Sequence, residues 1–206
     1  MSSASGPEEW QFLGGRICLD FANTLDWRLT ASPEELIGDY ARLLDWSAAR
    51  ETLSRSALNQ LQRRAGREQR SASEVLATAH QLRRTLWWAI DASRSGETLE
   101  TSEFNAWLSL LPAQPALQRQ RAAYLFALDG SDLRQPLWPI LWSWTAVLTS
   151  PDISRLGSCE ADGCGWYYVD ESPNHTRRWC SSELCGNRER VRRAYLKKAQ
   201  AKRRRR

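Results

Sequence analysis

Four of the five cysteines are crowded toward the C-terminal end of the 206-residue sequence, as Cys159-x4-Cys164, fifteen intervening residues, and Cys180-x4-Cys185. Two chelating pairs joined by a loop long enough to fold back supply the four thiolates of a tetrahedral zinc ion, and the gap inside each pair is at the upper end of the usual range. Gly163 and Gly165 flank Cys164, so the backbone can turn tightly there, and Trp166-Tyr167-Tyr168-Val169 has strand propensity, so a hairpin is expected to carry the first pair. The competing reading is unligated core cysteines or a pair of disulfides. It leaves a small module with few aliphatic residues and no stabilising core. One structural Zn2+ held by Cys159, Cys164, Cys180 and Cys185 is therefore expected. His175 is a substitute ligand that four cysteines make unnecessary, and Cys18, alone, reads as a small buried hydrophobe.

The compartment supports metal over cross-links. Met1 to Trp10 is small, polar and acidic, without the basic start and apolar stretch of a signal peptide, and no apolar run approaches a membrane span. A cytoplasmic protein with no membrane partner follows, in surroundings where disulfides are rare. With 42% hydrophobic and 26% charged residues, the composition is that of a globular chain rather than a disordered one.

Charge is divided unevenly. From Cys159 onward there are thirteen Lys or Arg against six Asp or Glu, a net of +7, whereas the first 158 residues carry sixteen against eighteen, a net of −2. The second cysteine pair runs directly into Gly186-Asn187-Arg188-Glu189-Arg190-Val191-Arg192-Arg193-Ala194-Tyr195-Leu196-Lys197-Lys198, which can form a basic helix with Val191, Ala194, Tyr195 and Lys198 on one face. Ligands from a hairpin and a helix start suggest a treble clef. Arg177, Arg178, Arg188, Arg190, Arg192, Arg193, Lys197 and Lys198 form the candidate nucleic-acid surface, whose phosphate contacts would make binding salt-sensitive. Trp166, Tyr167, Tyr168 and Trp179 could stack on unpaired bases, so the residues alone leave DNA and RNA both open. A merely solvated basic face is the bland alternative.

Upstream, 16–21 reads as a short strand, with Ile17, Leu19 and Phe21 alternating against Cys18 and Asp20. Ser32-Pro33 reads as a helix start, the helix continuing to about Ala49. Helices are expected over 54–64, 73–93, 101–111 and 136–149, with a second strand at 123–128 able to pair with the first. The fold class expected is a mainly α N-terminal domain with a small β component (α+β) over 1–152, followed by a treble-clef-like zinc finger over 153–206. No Gly-rich phosphate loop, nucleophile elbow or histidine pair appears, and four thiolates leave zinc no open position, so an enzyme is not expected.

Two stretches resemble known families. Cys180-Ser181-Ser182-Glu183-Leu184-Cys185-Gly186-Asn187-Arg188 resembles the signature of CGNR zinc-finger proteins, departing at Ser182, and Tyr168 to Trp179 is similar to the same module, departing at Pro173. Gly14-Gly15-Arg16-Ile17-Cys18-Leu19-Asp20-Phe21-Ala22-Asn23-Thr24-Leu25 resembles the opening of the ABATE domain that accompanies this finger in stress-induced bacterial transcription regulators. The resemblance implies duplex DNA as partner and an N-terminal domain that senses a small-molecule effector or forms a homodimer. Asp20, Asn23, Trp27 and Arg28 are the candidate ligand-binding residues, with capping and turn chemistry as the plainer account. Trp87, Trp88, Trp138 and Trp142 could wall such a pocket or simply fill a core. An RNA-binding or protein-interaction adaptor is the alternative function.

Overall fold

The computed structural model describes residues 10–111, 116–120, 123–127 and 132–204. The segment expected to be the first strand is a helix, α1 (Ile17–Ala22). The alternation of Ile17, Leu19 and Phe21 is real, but Cys18 and Asp20 between them are buried as well, so the pattern marks a segment enclosed on all sides rather than a half-buried strand. Asp20 can be enclosed because its Oδ1 accepts the Gly14 N–H at 2.8 Å.

The next segment also departs from expectation. Ser32-Pro33 starts no helix. Instead β1 (Leu25–Asp26) pairs antiparallel with β2 (Glu34–Glu35), in the register Leu25↔Glu35 and Asp26↔Glu34. Helix α2 (Tyr40–Ala49) begins later, where Asp39 caps it by accepting the Arg42 N–H. The other expected helices form: α3 (Arg55–Arg67), which Ser54 caps, α4 (Gln69–Arg94) and α5 (Thr101–Leu108). Strands β3 (Ala116–Gln120) and β4 (Ala123–Ala127) pair with each other, so the second expected strand finds a neighbour beside it in sequence rather than at 16–21. Leu128, the expected end of that strand, lies outside the described residues. Helix α6 (Trp138–Leu148) follows, then β5 (Leu156–Ser158), β6 (Tyr167–Val169) and α7 (Cys185–Arg204). The fold is mainly α with three small antiparallel pairs among the described residues.

These residues group into two units, each discontinuous in sequence. One comprises the described residues within Met1–Phe12, Ile37–Leu82 and Thr101–Trp142; the other comprises those within Leu13–Leu36, Arg83–Glu100 and Ser143–Arg206. In the first, Ile37, Leu43, Trp46, Leu61, Ala79, Leu82, Leu137 and Ile140 are buried completely. In the second, Leu19, Phe21, Leu86, Ile90, Val147 and Tyr167 are. The second unit therefore contains the cysteine module together with residues far upstream of it. No helix among the described residues is long and apolar enough to cross a membrane.

Candidate metal centre and nucleic-acid interface

The hairpin that brings in the first two cysteines has the register Leu156↔Val169, Gly157↔Tyr168 and Ser158↔Tyr167, and is extended one step by Cys159 donating its N–H to Trp166 O at 2.7 Å. Between the strands the chain reverses around Cys164, whose N–H reaches Ala161 O at 3.1 Å. Gly163 and Gly165 on either side have φ of +78° and +70°. A Cβ at Gly163 would come within 2.6 Å of Thr30 Cγ2, so this reversal requires glycine for its backbone and for its clearance.

The second pair is positioned by a helix start. Ser181 Oγ accepts the N–H groups of Glu183 and Leu184, both at 3.2 Å, and the Gly186 N–H reaches Ser181 O at 2.9 Å, so the chain turns tightly from Cys180 into α7, whose first residue is Cys185. At Gly186 a Cβ would lie 3.2 Å from the Trp179 ring, which packs against the cysteine cluster.

All four cysteines are buried, and their Sγ atoms lie within 4.8 Å of one another. A tetrahedral ion with zinc–sulfur bonds of about 2.3 Å needs sulfurs about 3.8 Å apart. Cys164 and Cys180 stand at 3.9 Å and Cys180 and Cys185 at 3.4 Å, so the donor set has the dimensions and the softness zinc takes. Among themselves the thiols compete for charge. Hydrogen bonds from Cys164 and Cys180 carry Cys159 well below the ordinary thiol range, the bond to Cys159 pushes Cys164 and Cys180 up, and burial pushes Cys185 up. A divalent cation is what allows all four to be thiolates together. The residual negative charge is met by N–H donors: the backbone of Ala161 and Cys180 toward Cys159, the backbone of Trp166 toward Cys164, and Arg188 Nη2 to Cys185 Sγ at 3.3 Å. His175 does not join the cluster; its Nδ1 is 3.2 Å from Asp170 O.

The cations expected to face a polyanion divide by what they touch. Arg177 is spent on the fold: its guanidinium donates to the carbonyl oxygens of Val169, Leu13, Trp179 and Cys180 and lies 4.1 Å over the Tyr168 ring. Arg178 pairs with Glu160 and lies over Trp179. Arg188 stacks 4.3 Å over Trp27. Arg192 pairs with Asp162 at 3.2 Å and with the buried Glu189 at 3.5 Å, and Arg190 donates to Ser182 O. Arg193, Lys197 and Lys198 are exposed on α7 with no ion pair among the described residues. Of the aromatics that could have stacked on bases, Trp166, Tyr167 and Tyr168 are buried, so they build the module rather than a platform on its surface.

The four candidate ligand-binding residues of the N-terminal segment are engaged by the cysteine module or its neighbours. Asn23 pairs with the Tyr167 backbone, Trp27 carries Arg188, and Asp20 receives Gly14. Arg28 lies 4.6 Å over the Tyr167 ring and 5.2 Å over Trp87, donating to Gly165 O at 3.0 Å and to the Tyr167 hydroxyl at 2.7 Å. Sequence reasoning missed Arg83, a charge 4% exposed that donates to Thr24 Oγ1 at 2.8 Å and pairs with Glu35. Its signal was present: Arg83 shares the helical stripe of Ala79, Leu86 and Ile90, where only a paired charge is tolerated.

A closed, buried set of four thiols leading into a basic helix defines a zinc-finger protein. Residues 155–206 match the CGNR zinc finger, and residues 15–151 match the ABATE family, described as "Putative stress-induced transcription regulator". The second match covers most of the chain, and the protein belongs to the ABATE family, with a CGNR zinc finger after the ABATE region. No curated protein matches the sequence significantly.

Proposed function

We propose that this protein is a cytoplasmic, zinc-dependent transcription regulator that binds duplex DNA through the finger and α7. The observation that carries the reading is the placement of α7: it starts at a metal ligand, and beyond its first turns it projects exposed cations, with Glu189 its only acid and that one buried. Zinc fixes the start of the helix, and the helix presents the charge to phosphates. Arg178, Arg190, Arg193, Lys197 and Lys198 are the cations assigned to the DNA backbone, while Arg177 and Arg188 hold the finger together. Catalysis has no place in this reading, since four thiolates leave the metal no position for water or substrate.

The N-terminal segment is the regulatory input. Asn23, Trp27 and Arg28 reach the finger directly, so an effector or a second copy that repositions this segment would alter how the finger is presented, provided it binds the two arrangements with different affinity. Selection of bound sequences from random duplex DNA, at two salt concentrations and with or without a zinc chelator, tests the central claim. A motif that enriches and disappears with chelator supports it; no enrichment and no salt-dependent retention refutes it. Preference for single-stranded RNA offered beside the duplex pool would favour the RNA-binding alternative instead, and tight capture of a protein partner without nucleic acid would favour the adaptor.

A further inference from the structure

Helix α7 has two faces that differ in what they touch. Toward the finger it sets Cys185, Glu189 and Arg192, the first two buried and the third paired with Asp162 and Glu189. On the other side Asn187, Val191, Ala194, Tyr195 and Lys198 follow one another at intervals of four, three, one and three residues, which places them on a single stripe of the helix. Val191 is 63% exposed and Tyr195 72%, unusual exposure for such side chains, on a helix that also exposes six arginines and lysines between Arg188 and Lys198.

Cations border this stripe on both sides: Arg190 and Lys197 along one edge, and along the other Arg188 and Arg192, which the finger also holds through Trp27 and Cys185 and through Asp162 and Glu189. A second copy of the helix laid against the stripe would bring like charges together, whereas a groove walled by phosphates meets cations at both edges and an uncharged floor between them. The helix is 20 residues long, about 30 Å at 1.5 Å per residue, and a major groove admits a helix of this width.

We propose that the uncharged part of the stripe, Asn187, Val191, Ala194 and Tyr195, is the base-reading surface of the protein, with Lys198 at its end on the DNA backbone, and that it selects duplex sites containing thymine and adenine in the major groove. This rests on the duplex-DNA reading above and adds to it which side chains carry sequence. The C5-methyl of thymine is the one apolar group on the groove floor, and Val191, Ala194 and the Tyr195 ring are apolar groups placed to meet it. Asn187 offers a donor and an acceptor side by side, the pair that matches adenine N7 and N6.

The test uses the full zinc-loaded chain. Bound sequences are selected from random duplex DNA with the wild type, Val191→Ala, Tyr195→Ala and Asn187→Ala, and each thymine of the wild-type motif is replaced in turn by deoxyuridine, which removes only the methyl. Wild-type affinity is expected to fall about fourfold at each methyl that is read. Val191→Ala should abolish that sensitivity at one position, and Asn187→Ala should relax an adenine position about tenfold. A motif that the three variants leave unchanged, or binding indifferent to uracil, overturns the inference while leaving duplex binding intact. Absence of any duplex binding by the wild type removes the underlying reading itself. A change of mass in sedimentation for Val191→Ala or Tyr195→Ala, with the motif unaltered, shows the stripe to be a self-contact and also overturns it.

Discussion

The side-chain amide of Asn23 pairs with the backbone of Tyr167 in both directions: Oδ1 accepts the Tyr167 N–H at 2.8 Å, and Nδ2 donates to Tyr167 O at 2.9 Å. An amide is the one uncharged side chain able to imitate a neighbouring strand, offering a donor and an acceptor at the spacing of a peptide group. It thereby completes the hydrogen bonding of β6 from a residue 144 positions earlier, with both partners buried.

Asn23→Ala should therefore be costly. It leaves a buried N–H and a buried C=O without partners, a loss of about 2–4 kcal/mol. Asn23→Asp keeps the acceptor, but as a carboxylate it has no donor for Tyr167 O and sets a buried charge beside that oxygen, so at neutral pH it should cost at least as much as the alanine variant. Denaturant unfolding of the zinc-loaded protein measures the loss, and faster hydrogen exchange at the Tyr167 amide locates it. Unaltered exchange there would refute the assignment.

Removing the metal should disturb residues well outside the finger. Trp27 lies under Arg188, which also donates to the ligand sulfur of Cys185, so release of the ion loosens a contact that includes the N-terminal segment. Native mass spectrometry should find one zinc per chain, and Cys180→Ser, which removes a central ligand, should lower that occupancy. Chelation should shift tryptophan fluorescence, and Trp27→Phe should reduce that shift. The pH dependence has a fixed sign. Thiolate ligands take up protons when zinc leaves, so occupancy falls on acidification.

Tyr167 supplies a second link and a prediction at alkaline pH. Its hydroxyl accepts from Arg28 at 2.7 Å and donates to Asp91 Oδ2 at 2.7 Å, and burial pushes its ionisation up. The folded state thus retains a proton that the unfolded state releases from about pH 10 upward, and stability contributed by this group is present below that pH and lost above it. Tyr167→Phe should cost about 1–2 kcal/mol near neutrality. It should also flatten the alkaline fall in stability, which a merely space-filling role would leave unchanged.

The four ligands were legible because coordination by paired cysteines imposes a short local spacing, and α4 was legible because Leu76, Ala79, Leu82, Leu86, Trp87 and Ile90 recur at helical spacing. What escaped were choices settled at long range. Residues 16–21 alternate as a strand does, yet Cys18 and Asp20 are as buried as their neighbours, so periodicity carried no information there. Ser32-Pro33 has the chemistry of a helix start, but Glu34–Glu35 bridges back to Leu25–Asp26 and Glu35 is claimed by Arg83, forty-eight residues away. Asn23 and Arg28 looked like groups awaiting a ligand because their partners, Tyr167 and Gly165, are too distant in sequence to be read as such.

Cys18 offers the sharpest contrast with the other cysteines. It is fully buried, its backbone N–H bonds Ser143 Oγ at 3.1 Å, and burial pushes its thiol up to about 12. The thiolate is the reactive species, so Cys18 should be inert to a maleimide at pH 8 for as long as the fold persists. Labelling counts then separate the populations. The zinc-loaded chain should take up no label, the chelated chain should take up four, at Cys159, Cys164, Cys180 and Cys185, and only chelation with denaturant should add the fifth. The same shift predicts that Cys18 adds to the alkaline loss of stability, because between the unfolded thiol range and about pH 12 the folded state holds a proton that the unfolded chain gives up. Cys18→Ala should weaken that dependence, at a packing cost read separately at neutral pH. A single label on the native zinc-loaded protein, mapped to Cys18, would show that α1 opens without global unfolding and would remove the premise.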